Sequence, residues 1–342
     1  MKTTLTLLLL LFATASFAQT IRRVNADATV TGTNVYTTLQ AAHDAAAAGD
    51  ILIVEPGNSV GNLTCSKTLT IYGRGYFLES NPNYVAMPNR TFSSTVGDIV
   101  IAANNVKISG LAGNYFYISG ASGVTISRSN LNYLNIGGSA SAPCNNLTIS
   151  QNYFYNGMSI TGVATGLVSN VSFFNNNIRA SQGYFISNNT FISAITFSQN
   201  VIEGSSLAAG GAVAYNTVFI NNVFTSTQTI PFSTNNTSYF YNVFPTGSTI
   251  DSGMGSNHTF VSSLGSQFAS NTGGPDNNYR VISGSVLKTA GSTGGEVGMF
   301  GGATPYVPYG IPAAPAVLKV RSDGVGNSTT PITLTISATS NN

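Results

Sequence analysis

Asn146-Leu-Thr-Ile149, Asn170-Val-Ser-Phe173 and Ala194-Ile-Thr-Phe197 are three copies of one four-residue pattern in which two apolar side chains flank a small polar one. The pattern extends both ways, through Gly123-Val-Thr-Ile126 and Asn105-Val-Lys-Ile108 upstream, and Thr217-Val-Phe-Ile220 and Thr237-Ser-Tyr-Phe240 downstream. Its last residue falls at 108, 126, 149, 173, 197, 220 and 240, so the intervals run from 18 to 24 residues. Alternation with period two marks a strand with one face buried. A strand that returns at near-constant spacing marks a stack of equivalent coils. The expectation is an all-β, right-handed parallel β-helix, a solenoid of coils of about 22 residues.

A second signal has the same period. Asn130, Asn152, Asn177, Asn200, Asn222 and Asn242 follow the strands within a few residues, and apolar pairs such as Tyr153-Phe154, Val201-Ile202 and Val243-Phe244 come next. Asparagine tolerates left-handed backbone angles and bonds neighbouring peptides, so it suits a tight bend between strands. Coils about 4.8 Å apart would bring these amides into a ladder. Leucine-rich repeats share the period, but their fixed leucine spacing and helical segments are missing. Propeller blades need about twice the length.

The two ends differ from the middle. Lys2, the apolar run Leu5 to Phe12 and Ser16-Phe17-Ala18 read as a cleavable export signal over residues 1–18. That predicts a secreted protein, extracellular or on the outer surface of a bacterium, with no membrane-spanning segment. Residues 37–48 are alanine-rich and amphipathic, followed by Gly49, and predict a capping helix at about 36–50 over the open end of the solenoid. The β-helix is expected to fill residues 19–300. Four prolines between 301 and 316 predict an extended strap, and Val317 to Val320 with Ile332 to Ile336 predict a C-terminal hairpin or cap over 301–342.

The run Leu39-Gln-Ala-Ala-His-Asp-Ala-Ala46, with Gly49-Asp-Ile-Leu-Ile-Val-Glu-Pro-Gly57 and Lys67-Thr-Leu-Thr-Ile-Tyr-Gly73, resembles the opening of secreted β-helix proteins of the pectin-lyase-like superfamily. That resemblance implies the fold. It says little about activity, because the superfamily holds lyases, hydrolases, epimerases and non-enzymatic surface proteins. For a lyase it would imply acidic Ca²⁺ ligands and an Arg or Lys base, and for a hydrolase a set of carboxylates.

Composition argues against both. Only 7% of residues are charged and the net charge is +2, against roughly 25% charged in typical globular proteins. This excludes an electrostatic case for nucleic acid. Between residues 99 and 250 the one acidic residue is Glu203, and the basic ones are Lys107, Arg128 and Arg179. Hydrolysis by paired carboxylates needs two within about 10 Å, so the central coils cannot supply it alone. Asp98 and Asp251 stand at opposite ends of the stack. Glu203 and Arg179 are weak catalytic candidates, since each lies six residues past its motif and a cross-strand ion pair accounts for both.

No residues suggest a cofactor or metal site: His43 and His258 lack further ligands at metal-like spacing. Asp50 and Glu55 are expected at turns. Asn62-Leu-Thr64 and Asn146-Leu-Thr148 match glycosylation acceptors by composition. Cys65 and Cys144, about three coils apart, read as two separate buried thiols, since about 14 Å of axial rise exceeds disulfide reach. Tyr115, Tyr117, Tyr133, Tyr153 and Tyr155 cluster in the first repeated coils and form a candidate platform for sugar rings. The expected function is a non-catalytic, structural or adhesin-like β-helix binding a polysaccharide or cell-surface glycan. The alternative is a polysaccharide lyase or glycoside hydrolase acting on an acidic polysaccharide.

Overall fold

Ile108, Ile126, Ile149, Phe173 and Phe197 lie on one register line of a parallel sheet, each paired with its equivalent in the coil before. All five are buried. The computed structural model describes residues 19–80, 93–138, 141–162, 168–180, 192–204, 216–230, 236–270, 273–313, 316–322 and 334–339. The export signal read over residues 1–18 falls outside them. Each coil contributes one strand to a 12-stranded sheet and one to an 11-stranded sheet, and the chain winds as a right-handed parallel β-helix. The first sheet carries the motif strands, from Ile21–Val24 to Gly255–Ser256, and the second runs from Leu63–Cys65 to Thr259–Val261.

Between the sheets lies one continuous apolar core. Stacking coils puts like on like: the rings of Phe173, Phe197, Phe219 and Tyr239 are nearly parallel, with centroids 4.5, 4.9 and 4.8 Å apart. This column corrects the predicted register at its last two members. Phe197 pairs with Phe219, not Ile220, and Phe219 pairs with Tyr239, not Phe240. Ile220 and Phe240 face outward. The motif is therefore Asn216-Thr-Val-Phe219 and Asn236-Thr-Ser-Tyr239, which restores asparagine at its first position. Apolar residues on both faces of these strands had concealed the slip.

The first position is special because of its backbone. Asn105, Gly123, Asn146, Asn170, Ala194, Asn216 and Asn236 all have positive φ, between 47° and 69°. A second such line follows the motif strand, through Gly110, Arg128, Gln151, Asn175, Gln199, Asn221 and Tyr241. The coils from Asn105 to Tyr241 thus turn into and out of the first sheet through left-handed residues, where asparagine and glycine carry the smallest steric penalty. Asn170 Nδ2 donates to Asn146 Oδ1, and Asn236 Nδ2 to Asn216 Oδ1 at 3.1 Å.

Immediately inside the second corner runs the buried amide stack. Asn152, Asn176, Asn200, Asn222 and Asn242 are each fully buried. The Asn176 Oδ1 accepts both the backbone N–H of Asn152, at 2.9 Å, and its Nδ2–H, at 3.2 Å. The Asn176 Nδ2 donates onward to Asn200 Oδ1 and to the Ile149 carbonyl, both at 2.9 Å. The same bonds repeat through Asn200, Asn222 and Asn242. Ser129 occupies the position above Asn152 and donates its N–H to Asn152 Oδ1. His258 occupies the position below Asn242, one residue before the Val243–Thr259 pair, with its ring edge-on to Phe244.

Two predicted members are displaced from the stack. Asn130 and Asn177 sit one residue further along, paired in strand register with Tyr153 on the outer face of the second sheet. Asn-Asn-Asn at 175–177 made the choice ambiguous in sequence. Only the backbone angle separates the corner residue, the stack residue and the strand residue.

At the N-terminal end a helix covers Leu39–Ala45, shorter than the predicted run. Thr38 caps its start by accepting from the Ala41 N–H at 3.2 Å. Its end is set by Lys67, whose Nζ donates to the carbonyls of His43, Asp44 and Ala46, so Gly49 follows the helix rather than ending it. His43 is a packing residue that accepts the Ser66 N–H at Nε2. Asp50 and Glu55 make ion pairs with Arg22 and Arg23, at 3.1 and 2.9 Å. Cys65 and Cys144 are free and buried, and burial pushes the Cys65 thiol up to about 11.

After Val261 the chain leaves the sheets and runs back along the outside as a strap. Leu287, Val297, Met299 and Tyr306 pack on the outward valines Val201, Val223 and Val243 and form a second core. The corner residues hold the strap in place. Asn221 accepts from the Ser292 N–H, and Asn175 donates to the carbonyls of Met299 and Gly301. Gln151 donates to those of Thr304 and Pro305, and Arg128 to that of Ile311. Beyond it, Ala316–Ser322 and Leu334–Thr339 pair antiparallel.

Replacing Asn200 by Leu removes the acceptor for two donors of Asn176 and strands the Phe173 carbonyl, a loss of about 2 kcal/mol or more. Asn177, whose buried amide atoms have no partner, is the control: Asn177→Leu leaves chemical denaturation unchanged or shifts its midpoint up. A drop for Asn177→Leu as large as for Asn200→Leu contradicts this assignment of the stack. Ala194, exposed at φ 53° in a line of asparagines, gives the converse test. Ala194→Asn raises the thermal midpoint, by about 0.5–1 kcal/mol, as a left-handed residue is relieved and the outer amide line is completed.

Candidate functional site

On the strand Ala112–Ser119, Phe116 and Ile118 point into the core, so Tyr115 and Tyr117 point out. In the next coil Leu134 and Ile136 point in, and Tyr133 stands beside Tyr115. The ring centroids of Tyr115 and Tyr133 are 5.9 Å apart, and those of Tyr115 and Tyr117 are 6.1 Å apart and nearly parallel. Tyr115 is 36% and Tyr155 54% exposed. Four of the five predicted tyrosines therefore share the outer face of the second sheet as accessible rings. Tyr153 does not: it leaves the same face but is 2% exposed, covered edge-on by Phe77 at 5.5 Å.

Beside the tyrosines runs an amide line absent from the predicted set. Asn132 donates to Asn114 Oδ1 at 3.0 Å, and Asn156 donates to Asn132 Oδ1. Asn114 in turn donates to Asp98 Oδ1 at 2.9 Å, and the same oxygen accepts the Tyr115 N–H. Asp98 had been set aside as an end-of-stack carboxylate, yet it heads this line. Burial and the neighbouring Asp98 carboxylate raise the Tyr117 hydroxyl above its ordinary range. The sequence signal was the adjacent Asn-Tyr or Tyr-Asn pair at 114–115, 132–133 and 155–156, which coil spacing converts into a surface.

The loop after Thr70–Tyr72 and the strap together make the second wall. Phe77 and Pro275 face Asn130, Asn132, Tyr153, Tyr155 and Arg179 across an open groove of about 400 Å³. A separate hollow of about 330 Å³ lies over Val100, Tyr117, Ser119 and Asn135. Groove and tyrosines together span the coils from Asp98 to Arg179.

Arg179 and Glu203, the weak catalytic candidates, are strand partners in adjacent coils, with Nε to Oε2 3.5 Å. Arg179 Nη1 also donates to the Tyr153 hydroxyl at 3.2 Å, and its guanidinium lies 5.1 Å from the Tyr155 ring centroid. Glu203 is further bonded by Tyr279 of the strap. Both charges are committed to neighbours, the arrangement of a half-buried ion pair holding strap to sheet.

A second carboxylate arrives from a distant part of the chain. Asp276 of the strap is fully buried, with Oδ2 accepting the Tyr309 N–H at 2.6 Å and the Tyr306 hydroxyl at 3.3 Å. Tyr306 and Tyr76 join through their hydroxyls at 2.5 Å. Burial pushes Asp276 up to about 6 against the pull of these donors. Nothing in residues 99–250 signals it, because folding back of the strap brings it there. Among the described residues no group of three or more His, Cys, Asp or Glu could hold a metal ion, and no helix is long and apolar enough to cross a membrane.

No protein family matches this chain, and no curated protein does. Among similar solved structures is a polygalacturonate lyase fused with a self-assembling amphipathic peptide, 13% identical over 70% of each chain, with a TM-score of 0.35. A likeness at that level transfers neither substrate nor mechanism.

Asp276 gives this region a pH signature. Its folded pKa lies above its unfolded value, so the charged form is the disfavoured one in the fold. The penalty is absent below about pH 4, grows as pH rises to about 6 and is complete above, where it amounts to roughly 3 kcal/mol. Asp276→Asn keeps an acceptor for Tyr309 and cannot ionise. Relative to wild type the variant gains stability between pH 4 and 7 in urea melts, and a pH-independent difference refutes the assignment.

Proposed function

We propose that this protein is an exported, non-catalytic β-helix that binds a glycan along the outer face of its second sheet. The observation that carries the reading is the row of accessible tyrosines, Tyr115, Tyr117 and Tyr133, set in line with the amides of Asn114, Asn132 and Asn156. A sugar ring offers apolar C–H faces and a rim of hydroxyls. Flat aromatic rings meet the first and amides, each donor and acceptor, meet the second. Solenoid stacking repeats both partners coil by coil, as a repeating polymer requires. The rigid sheet holds the rings in place before binding, which keeps the ordering cost low.

The charged groups support binding rather than turnover. Arg179 and Glu203 are paired to each other and tied to tyrosines, and Asp276 lies beneath the strap. Affinity electrophoresis through gels containing soluble polysaccharides tests the reading. Wild type is retarded by at least one polymer without releasing reducing ends or unsaturated product. Tyr115→Ala and Tyr133→Ala each weaken that retardation about tenfold, in line with the loss of one aromatic contact of about 1.5 kcal/mol. Turnover abolished by Glu203→Gln, or retardation indifferent to both tyrosines, rejects the proposal.

A further inference from the structure

We infer that the groove is selective for neutral glycans, lying along the helix axis, and disfavours uronic-acid polymers; the inference rests on the tyrosine face being a glycan platform. Charge carries the first half. A carboxylate on each sugar has to be desolvated against the protein, which is unfavourable unless a cation with free donors meets it. The second-sheet side of these coils carries three charged residues, Asp98, Arg179 and Glu203. Asp98 is negative, lies among Tyr115 and Asn114, and makes no ion pair among the described residues. Arg179 is balanced by Glu203. The remaining cations of the central coils are directed elsewhere: Lys107 stands on the first sheet, and Arg128 holds the strap at Ile311.

Of the chain that joins these strands, residues 139–143, 163–167, 181–191 and 205–215 contain no Asp, Glu, Lys or Arg, and residues 81–92, outside the described residues, contain Arg90 alone. Among the described residues the local charge is negative near Asp98 and balanced near Arg179. An anionic polymer meets repulsion at one end and no uncommitted cation at the other.

Geometry carries the second half. Asn114, Asn132 and Asn156 come from three successive coils, as do the tyrosines beside them, so the contacts advance along the axis. The rise of about 4.8 Å per coil is close to the length of one pyranose ring. A ribbon-like chain along the axis thus meets one amide and one ring per sugar, whereas a chain lying along one strand would meet only Tyr115 and Tyr117. Phe77 and, from the strap, Pro275 wall the groove beside Asn132 and Tyr155.

The test compares galactan and hydroxyethylcellulose with polygalacturonate and alginate, by affinity electrophoresis at low and moderate salt. The expected result is retardation by a neutral polymer, at least tenfold weaker retardation by both uronates, and little salt dependence. Asp98→Asn, which keeps an acceptor for Asn114 and Tyr115, and Asp98→Lys should raise uronate retardation in that order. Stronger retardation by a uronate that Tyr115→Ala removes overturns the selectivity and leaves the platform standing. Retardation by a neutral polymer that Tyr115→Ala and Tyr133→Ala both leave intact overturns the platform itself. Equal migration in all four polymers overturns both.

Discussion

Every coil of a parallel solenoid has to turn at the same place as the coil beneath it without leaving a buried peptide group unpaired. The corner between the two sheets meets that demand with two adjacent residues of opposite character. One takes left-handed backbone angles and points out; the next is a fully buried amide that points in. The inward amide uses two acceptor sites and two donors, and each is matched to the coil above, the coil below or the preceding strand. An unpaired buried polar group costs about 1–3 kcal/mol, and a shift by one coil position would create several at once. The stack therefore sets the vertical register of both sheets. The phenyl column of Phe173, Phe197 and Phe219 fills the space that this register defines.

The outward residue of the same corner has a separate use. Asn221, Asn175, Gln151 and Arg128 reach out to the backbone of the strap and fasten it along the helix. That attachment covers the valines of the second sheet, buries Asp276 and raises the wall that turns an open sheet face into a groove. The tyrosine face and the core are thus linked through one corner. The same regularity that satisfies backbone groups also repeats tyrosines and amides at ligand-sized spacing. The near absence of charge follows from it: identical charges stacked about 4.8 Å apart would repel at every coil, whereas amides and hydroxyls stacked there attract.

How far the residues announced this depends on the range of the interaction. The motif strands were legible because alternation is local: Asn146-Leu-Thr-Ile149 reads as a half-buried strand by itself, and its recurrence is the solenoid. The capping helix and asparagine corners were legible for the same reason. The register of Thr217-Val-Phe-Ile220 was not, since apolar side chains on both faces leave alternation without a direction. Nor was the choice among Asn175, Asn176 and Asn177, three identical side chains with three different environments. Sequence by itself determined that this chain winds into coils with neutral surfaces and carries a single carboxylate, Glu203, in its middle. Only tertiary structure decided which tyrosines are exposed, that Asp98 heads an amide line, and that Phe77 and, from the returning strap, Pro275 supply the groove's wall. Those outcomes rest on contacts between residues remote in sequence, whose pairing is set by how many residues each coil consumes and by where the chain folds back.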